Sequence, residues 1–221
     1  MVPSIFAQDI CEGNFDFDQD VDANDVTVFL QHFGRSQYYN PCPPSGPAMV
    51  PKTGQTTSYA TGDDGQYKRG VAWPNPRFTD NGNGTVTDNL TGLIWLKDAN
   101  CVTFGTPENW YDALSDCNSL ADGQCGLTDD SSAGDWRLPN LLELESLRDM
   151  KYYNPALSNT AGTGQWSQGD AFNNVQSSYY WSSNTLADGT DTVCYYRMGY
   201  GDVLFGNKGL TYYVWCVRGG Q

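Results

Sequence analysis

Oxygen-bearing side chains recur at every second position early in the chain, and a further aspartate follows after a gap. These residues are Asn14, Asp16, Asp18, Asp20, Asp22 and Asp25. Calcium takes about six to eight oxygen ligands, and an EF-hand loop supplies them from alternate positions and from its last position. The spacing therefore predicts a Ca²⁺ site, in which Asp20 stands at the position that usually contributes a backbone carbonyl. The alternative is a solvated acidic loop, whose like charges would repel one another without a cation.

The loop departs from the usual pattern at two positions. Gln19 stands where a glycine normally makes the sharp turn, and Asp25 replaces the longer glutamate. Apolar residues from Val26 to Phe33 recur at helical spacing and stop at Gly34, which predicts one exiting helix. This arrangement resembles the dockerin variant of the EF-hand, which lacks the entering helix. A dockerin has two such loops and this chain has one, so the resemblance does not imply cohesin binding.

The composition limits the class of protein and its partners. The chain has 221 residues and a formal net charge of −14. Because it contains no cluster of lysine and arginine along the sequence, it argues against nucleic acid and anionic membrane surfaces as partners. No apolar stretch is long enough to span a membrane. With 14% aromatic residues and 24 glycines, the composition favours a turn-rich fold of short strands over a helical bundle.

Seven cysteines with a single histidine and no Cys-x-x-Cys favour disulfides over zinc sites, and hence an oxidising, extracellular compartment. Composition divides the chain into an apolar N-terminal segment at 1–9, a calcium module at 10–42, a proline-rich linker at 43–51 and a main domain at 52–221. We expect a Cys11–Cys42 bridge to close the calcium module and to stabilise it by about 3–4 kcal/mol in the chain-entropy model. His32 lies on the exiting helix and is interpreted as a surface or packing residue.

Turn and helix signals place the elements of the main domain. Two consecutive Asn-Gly pairs at 81–84 predict a hairpin between strands at 77–79 and 85–88, and residues 92–96 form the next buried strand. Apolar spacing predicts a helix over 108–121, and Asn140 with Glu143 predicts a capped second helix that runs to about Met150. Aromatic-rich strands follow at 179–181, 193–200, 203–205 and 212–217. Two helices flanked by strands that begin and close one sheet indicate an α+β domain.

Several motifs of the main domain occur in an order that is typical of one family. They are the stretch from Pro76 to Trp95, Gly134-Asp135-Trp136-Arg137-Leu138-Pro139-Asn140 with Glu143 and Glu145, Tyr180-Trp181-Ser182-Ser183, and the stretch from Val214 to Gly220. On these motifs, residues 52–221 resemble the Lcl C-terminal domain family. The resemblance implies a C-type-lectin-like domain of twisted antiparallel strands with two helices, similar to the core of formylglycine-generating enzymes.

The same resemblance implies an adhesive role. The family's known member is the trimerising head of a bacterial collagen-like surface protein, which recognises sulfated glycans. This chain has no collagen-type Gly-X-Y tract. That mode of trimerisation therefore does not carry over.

The cysteines of the main domain leave several pairings open. Cys101 and Cys125 flank the first helix and are expected to pair, while Cys194 and Cys216 would bridge the closing strands. Cys117 is then unpaired, and the simplest interpretation is a buried free thiol on the apolar face of the helix. The alternatives are an intermolecular disulfide, or a pairing with Cys125 that leaves Cys101 free. Six cysteines alone allow fifteen pairings.

Three functions are weighed on these features. The first is an extracellular, non-enzymatic, calcium-binding structural or adhesion protein of the bacterial cell surface, which assembles into a homo-oligomer or filament. The second is a glycan-binding adhesin, in which extracellular sugars stack on aromatic residues of the loops at 160–178 and 188–191. The third is an oxidase of the formylglycine-generating type, which the sequence disfavours because no reactive cysteine pair maps onto Cys194 and Cys216.

Other charged residues are given simpler roles. Arg137 is expected to pair with a carboxylate, and Glu143 and Glu145 to be helix-end and surface residues. Further cation sites are considered at Asp63-Asp64, Asp80, Asp88 and Asp129-Asp130, each of which is more often a polar turn.

Overall fold

The computed structural model describes residues 50–101, 104 and 107–219. The calcium loop, the Cys11–Cys42 bridge and the exiting helix lie outside these residues. The described part forms an α+β domain of antiparallel strands and short helices. Within it, no helix has both the length and the apolar character that a bilayer crossing requires.

The strands form two sheets. Their bounds are β1 Phe78–Asp80, β2 Thr85–Asp88, β3 Ile94–Leu96, β4 Tyr179–Leu186, β5 Gly189–Arg197, β6 Asp202–Asn207 and β7 Val217–Arg218; the helices are α1 Asp64–Tyr67, α2 Trp110–Ser119 and α3 Leu141–Ser146. The first sheet has the order β1-β2-β3-β7 and the second β4-β5-β6. The predicted β1–β2 hairpin is confirmed, with Phe78 opposite Asp88. The first sheet contains the first and last strands, as predicted, whereas the middle strands form a separate sheet.

The first predicted helix is confirmed as α2. Asn109 caps it, because its side-chain oxygen accepts hydrogen bonds from the N–H groups of the first turn. Ala113 and Cys117 lie one turn apart on the same face and are fully buried. The helix ends at Ser119, and the backbone of the next residue, Leu120, is extended.

The second predicted helix is shorter than expected. It begins at the predicted capping box, in which Asn140 and Glu143 exchange side-chain-to-backbone hydrogen bonds. It ends at Ser146, before the expected Met150. The N–H of Asp149 pairs with the carbonyl of Ala156, so the backbone has already left the helical path there.

The strand expected over 212–217 is wrong in its bounds, since β7 begins only at Val217. Before β7 the chain crosses from one sheet to the other. Tyr213 forms a bridge with Tyr180 of β4, and the carbonyl of Cys216 accepts a hydrogen bond from the N–H of Leu96 in β3. Because its partners lie in different sheets, this segment cannot form one continuous ladder.

Aromatic side chains fill the core. The fully buried tryptophans are Trp95, Trp136, Trp181 and Trp215. The indole N–H of Trp181 donates to the carbonyl of Glu108 at 2.7 Å, and that of Trp215 donates to the carbonyl of Leu96 at 2.7 Å. These bonds matter because a buried N–H without a partner costs about 1–3 kcal/mol. The ring of Trp215 also meets Phe172 edge to face at 4.8 Å, a contact that contributes about 0.5–1.5 kcal/mol beyond burial.

One disulfide confirms the predicted cysteine pairing, and the other contradicts it. Cys101 pairs with Cys125 as predicted. Cys216 pairs with Cys117, not with Cys194, because the buried face of α2 brings the Cα of Cys117 to 5.4 Å from that of Cys216. The prediction that Cys117 is the free thiol is therefore wrong. Among the described cysteines the free one is Cys194, which is buried in β5, and burial raises the pKa of its thiol.

Candidate functional site

The predicted Ca²⁺ ligands Asn14, Asp16, Asp18, Asp20, Asp22 and Asp25 lie outside the described residues and stay a prediction. Among residues 50–101, 104 and 107–219, no three His, Cys, Asp or Glu side chains are grouped to hold a metal ion. Most of the carboxylates considered as further cation sites have protein partners instead. Asp63 caps α1, Asp80 pairs with Lys97, Asp88 with Arg77, and Asp129 with Arg218.

A cavity of about 340 Å³ lies where the segment 52–73 meets the loops around 149–151 and 162–163. An aromatic side chain, Trp73, forms part of its wall, and the remainder includes lysines, threonines, two aspartates and small residues. This volume falls in the range of pockets that hold small molecules. We take this cavity, the Trp73 pocket, as the candidate functional site.

Backbone pairing positions Trp73. Pro51 and Val71 form a parallel bridge, and the N–H of Lys52 donates to the carbonyl of Val71 at 3.0 Å. This bridge places the carbonyl of Lys52 beside the indole, whose N–H donates to it at 2.8 Å. The ring orientation is therefore fixed without a ligand.

A buried arginine supports the Trp73 ring. The guanidinium of Arg77 lies 5.1 Å from the ring centre, at a cation–π distance. It forms an ion pair with Asp88 and donates to the carbonyl of Ser146 at 2.8 Å. Both members of the ion pair are fully buried. Burial lowers the pKa of Arg77 and the charge of Asp149 opposes that change, but an arginine paired with Asp88 stays charged.

A second buried carboxylate lies on the floor of the pocket. Asp149 accepts a hydrogen bond from the N–H of Lys151 at 2.9 Å. Burial raises its pKa, against the opposing effects of that hydrogen bond and of the positive charges of Lys151 and Arg77. Gly54 lies against it: a Cβ there would stand 2.1 Å from an Asp149 oxygen, and the φ of Gly54 is +87°. This close approach requires glycine at position 54.

The residues that line the Trp73 pocket carry more positive charge than the chain does as a whole. Lys52, Lys68 and Lys151, three of the chain's five lysines, line it, whereas the whole chain carries −14. Asp64 and Asp149 lie among them, and Asp64 accepts a hydrogen bond from Thr53 at 2.5 Å. An aromatic face beside ammonium and hydroxyl groups can bind a polar ring that carries negative charge.

The structure also places the other charged residues that the sequence singled out. The predicted carboxylate partner of Arg137 is Glu143, and their two hydrogen bonds of 2.7 and 2.6 Å form a bidentate pair. Glu145 lies within α3. The bidentate pair gives Glu143 a structural role at the start of α3.

Only one of the two loops expected to bind glycans contributes to the pocket. From the loop at 160–178, Gly162 and Thr163 line it. Trp166 of that loop instead packs against the core, with its indole N–H donating to the carbonyl of Phe172 at 3.1 Å. The expected loop at 188–191 is wrong in its bounds, because β5 begins at Gly189 and only residues 187–188 form the turn after β4; none of these residues lines the pocket.

The sequence-based reasoning missed the Trp73 pocket. Its residues come from two stretches separated by about eighty positions, and no spacing rule connects Lys52 or Lys68 to Lys151. The available signal was weak. Trp73 precedes a proline and lies outside every predicted helix and strand. Binding residues often lie on such connecting segments.

The Lcl C-terminal domain matches residues 84–218, which is more than half of the chain. No curated protein and no solved structure matches the sequence. One wall of the Trp73 pocket, at 52–73, precedes the matched range, and the opposite wall, at 149–163, lies within it. This chain is a member of the Lcl C-terminal domain family.

Proposed function

We propose that this protein is an extracellular, non-enzymatic, calcium-binding structural or adhesion protein of a bacterial surface, which assembles into a homo-oligomer or filament. The observation that carries the proposal is the run of oxygen ligands from Asn14 to Asp25, whose spacing is that of a calcium loop. The main domain is proposed to be C-type-lectin-like, as the family resemblance implies.

The disulfides of the described domain support an extracellular location. Bonds such as Cys101–Cys125 and Cys117–Cys216 persist in oxidising compartments and are rare in the cytosol. The second of them is fully buried and joins α2 to the segment before β7, so it is a structural bond. A protein that works outside the cell under variable conditions gains stability from such bonds.

The same pairing gives no support to a thiol oxidase. Such an enzyme needs a reactive cysteine pair, whereas Cys216 is bound to Cys117 and Cys194 is a single buried thiol. Burial raises the pKa of Cys194, which lowers the fraction of reactive thiolate at neutral pH. Among the described cysteines, no pair has the arrangement that this chemistry requires.

Calcium binding and assembly are connected through charge. Copies that each carry −14 repel one another, and bound divalent cations reduce that repulsion. We therefore expect assembly to require calcium.

The test compares two double variants that remove the same charge. Asp16→Asn/Asp18→Asn removes two predicted calcium-loop ligands, and Asp188→Asn/Asp191→Asn removes two exposed carboxylates, one in the turn before β5 and one near the start of β5. We expect calcium to raise the melting temperature of the parent and of the second variant, but not of the first. Negative-stain images are expected to show assemblies with calcium and monomers after chelation. A purified protein without calcium by elemental analysis, and with unchanged melting after chelation, would refute the proposal.

Glycan binding is the second candidate, and the Trp73 pocket is the observation that favours it. A sugar ring presents an apolar face that stacks on an indole and hydroxyl groups that hydrogen-bond to polar side chains. Lys52, Lys68 and Lys151 offer donors to acidic substituents of the sugar. With three lysines and two aspartates, the pocket lining has a formal charge of +1 and so repels an acidic glycan less than the chain of −14 does as a whole.

A glycan array tests this candidate with variants inside and outside the pocket. Trp73→Ala and Lys151→Gln are expected to weaken binding at least about tenfold, the effect of losing roughly 1.4 kcal/mol of contact. Tyr111→Ala removes an aromatic ring that is 59% exposed and lies outside the pocket, and is expected to bind like the parent. An array without hits, or equal losses in all three variants, would end the glycan hypothesis and leave the calcium proposal standing.

A further inference from the structure

The Cys101–Cys125 disulfide lines a second cavity, of about 510 Å³. This cavity lies between the β1–β2 hairpin, represented by Gly82 and Gly84, and the chain around Lys97. Both half-cystines contribute to its wall. A disulfide at the wall of an open cavity of this size can be reached by a small molecule, which a disulfide in a close-packed core cannot.

The two disulfides of the described domain differ in exposure. Cys117 and Cys216 are both fully buried, so an external thiol cannot approach either sulfur in the folded protein. In the other bond, Cys101 is 2% exposed, while Cys125 is partly exposed. Thiol–disulfide exchange requires a thiolate to reach one sulfur of the bond, and the rate depends on which sulfur is accessible. Residue exposure therefore favours Cys125 over Cys101 as the half-cystine that an external thiol reaches.

Non-covalent contacts hold the turn that carries Cys125. The carbonyl of Gly126 approaches Gly84 so closely that a Cβ on Gly84 would stand 2.3 Å from it. The N–H of Thr128 donates to the carbonyl of Asn83 at 3.0 Å, and that of Leu127 donates to the carbonyl of Gln124 at 2.8 Å. These contacts do not involve the disulfide. The turn therefore keeps its position on the hairpin when the bond opens.

The backbone at Cys125 adds to this argument. Its φ is +50°, in the left-handed region that residues other than glycine, asparagine and aspartate rarely adopt. The surrounding turn imposes this conformation, since Gly123 and Gly126 on either side also have positive φ. Opening the disulfide removes one restraint on a residue in a disfavoured conformation.

We infer that Cys125 is a site of thiol exchange in the folded protein, modified by small extracellular thiols of the glutathione class. The thiolate of the small molecule attacks the sulfur of Cys125 and forms a mixed disulfide with it. The Cys101–Cys125 bond breaks, and Cys101 leaves as a thiolate that takes a proton from water. The sulfur of the small thiol is oxidised and that of Cys101 is reduced, so one disulfide replaces another and no further oxidant or reductant is needed. The adduct occupies the 510 Å³ cavity.

The first experiment uses the complete oxidised chain with graded glutathione at neutral pH. The reaction is quenched with acid, free thiols are alkylated, and the disulfides and adducts are mapped by peptide mass spectrometry. We expect a glutathione adduct on Cys125 and a free thiol on Cys101 while Cys117–Cys216 stays intact and circular dichroism stays native. Opening of both disulfides together, or only after the native signal is lost, would overturn the inference.

A matched pair of variants separates access from folding. Cys101→Ser leaves Cys125 as a free thiol, and Cys125→Ser leaves Cys101 as a free thiol, so each variant lacks the same bond. We expect Cys125 to react with a neutral thiol reagent roughly tenfold or more faster than Cys101, because only Cys125 is partly exposed. Equal rates, or an adduct on Cys101 in the first experiment, would refute the assignment.

Discussion

Replacing Asp88 by asparagine removes the negative charge that neutralises Arg77 beneath the Trp73 pocket. Both side chains are fully buried, and the Asp88 oxygen that accepts from Arg77 also accepts a hydrogen bond from the N–H of Leu90 at 2.8 Å. Breaking a buried ion pair from one side leaves an uncompensated charge and costs about 3–5 kcal/mol. For a domain of this size, that corresponds to a fall of roughly 6–20 °C in melting temperature. We expect a loss of this size because the guanidinium of Arg77 is then left in a fully buried site without its paired carboxylate.

The assay is urea unfolding at neutral pH with the disulfides intact, followed by tryptophan fluorescence. Asp202→Asn is the matched control, since Asp202 also accepts hydrogen bonds from an arginine, Arg197, but is 39% exposed. An exposed pair contributes about 0–1 kcal/mol, so the control is expected to stay near the parent. If Asp88→Asn loses less than about 1 kcal/mol, or no more than the control, the buried ion pair does not stabilise the domain as argued.

Three further predictions test other parts of the structure. Burial and the charges of Asp116 and Asp112 raise the pKa of Glu108 from 4.5 to about 8. The stabilising contribution of Glu108 is therefore complete below pH 4.5 and is lost as pH rises through 8. We expect the urea midpoint of Glu108→Gln to fall less between pH 5 and 9 than that of the parent. Gly54→Ala is expected to lower the melting temperature more than Gly82→Ala, since both glycines have positive φ but only the first meets a neighbour, at 2.1 Å. Replacing Cys117 and Cys216 together by alanine is expected to cost about 4.7 kcal/mol of unfolding free energy, and replacing Cys101 and Cys125 about 3.5 kcal/mol. The difference arises because the longer disulfide loop restricts the unfolded chain more. Equal urea midpoints of the two double variants would contradict this.

Sequence signals predicted the elements whose causes are local. The Asn-Gly pairs at 81–84 fix a turn whatever its surroundings, and the β1–β2 hairpin is where they place it. Asn140 and Glu143 form their capping box within one helical turn. The pairing of Cys101 with Cys125 spans only 24 positions around one helix, so the helix itself indicates it.

Features that depend on distant contacts were not predicted. Cys117 and Cys216 are separated by 99 positions, and only the packing of α2 against the segment before β7 brings them together. The Trp73 pocket likewise joins Lys68 to Lys151 across two loops whose relative position depends on the whole fold. Hydrophobic periodicity gives the face of an element that is buried, but not the element that covers it.

The covalent bond between Cys117 and Cys216 determines how the domain responds to mechanical tension. A pulling force applied through the ends of the domain passes across this bond and does not load the 99-position span between its sulfurs. At about 3.3–3.6 Å per extended residue, roughly 330–360 Å of contour length stays unavailable to stretching. Tension instead falls on the short β3–β7 pairing, where Trp95 faces Val217. Extension under load is therefore limited to the residues outside this span, and the second sheet lies outside the path of the force.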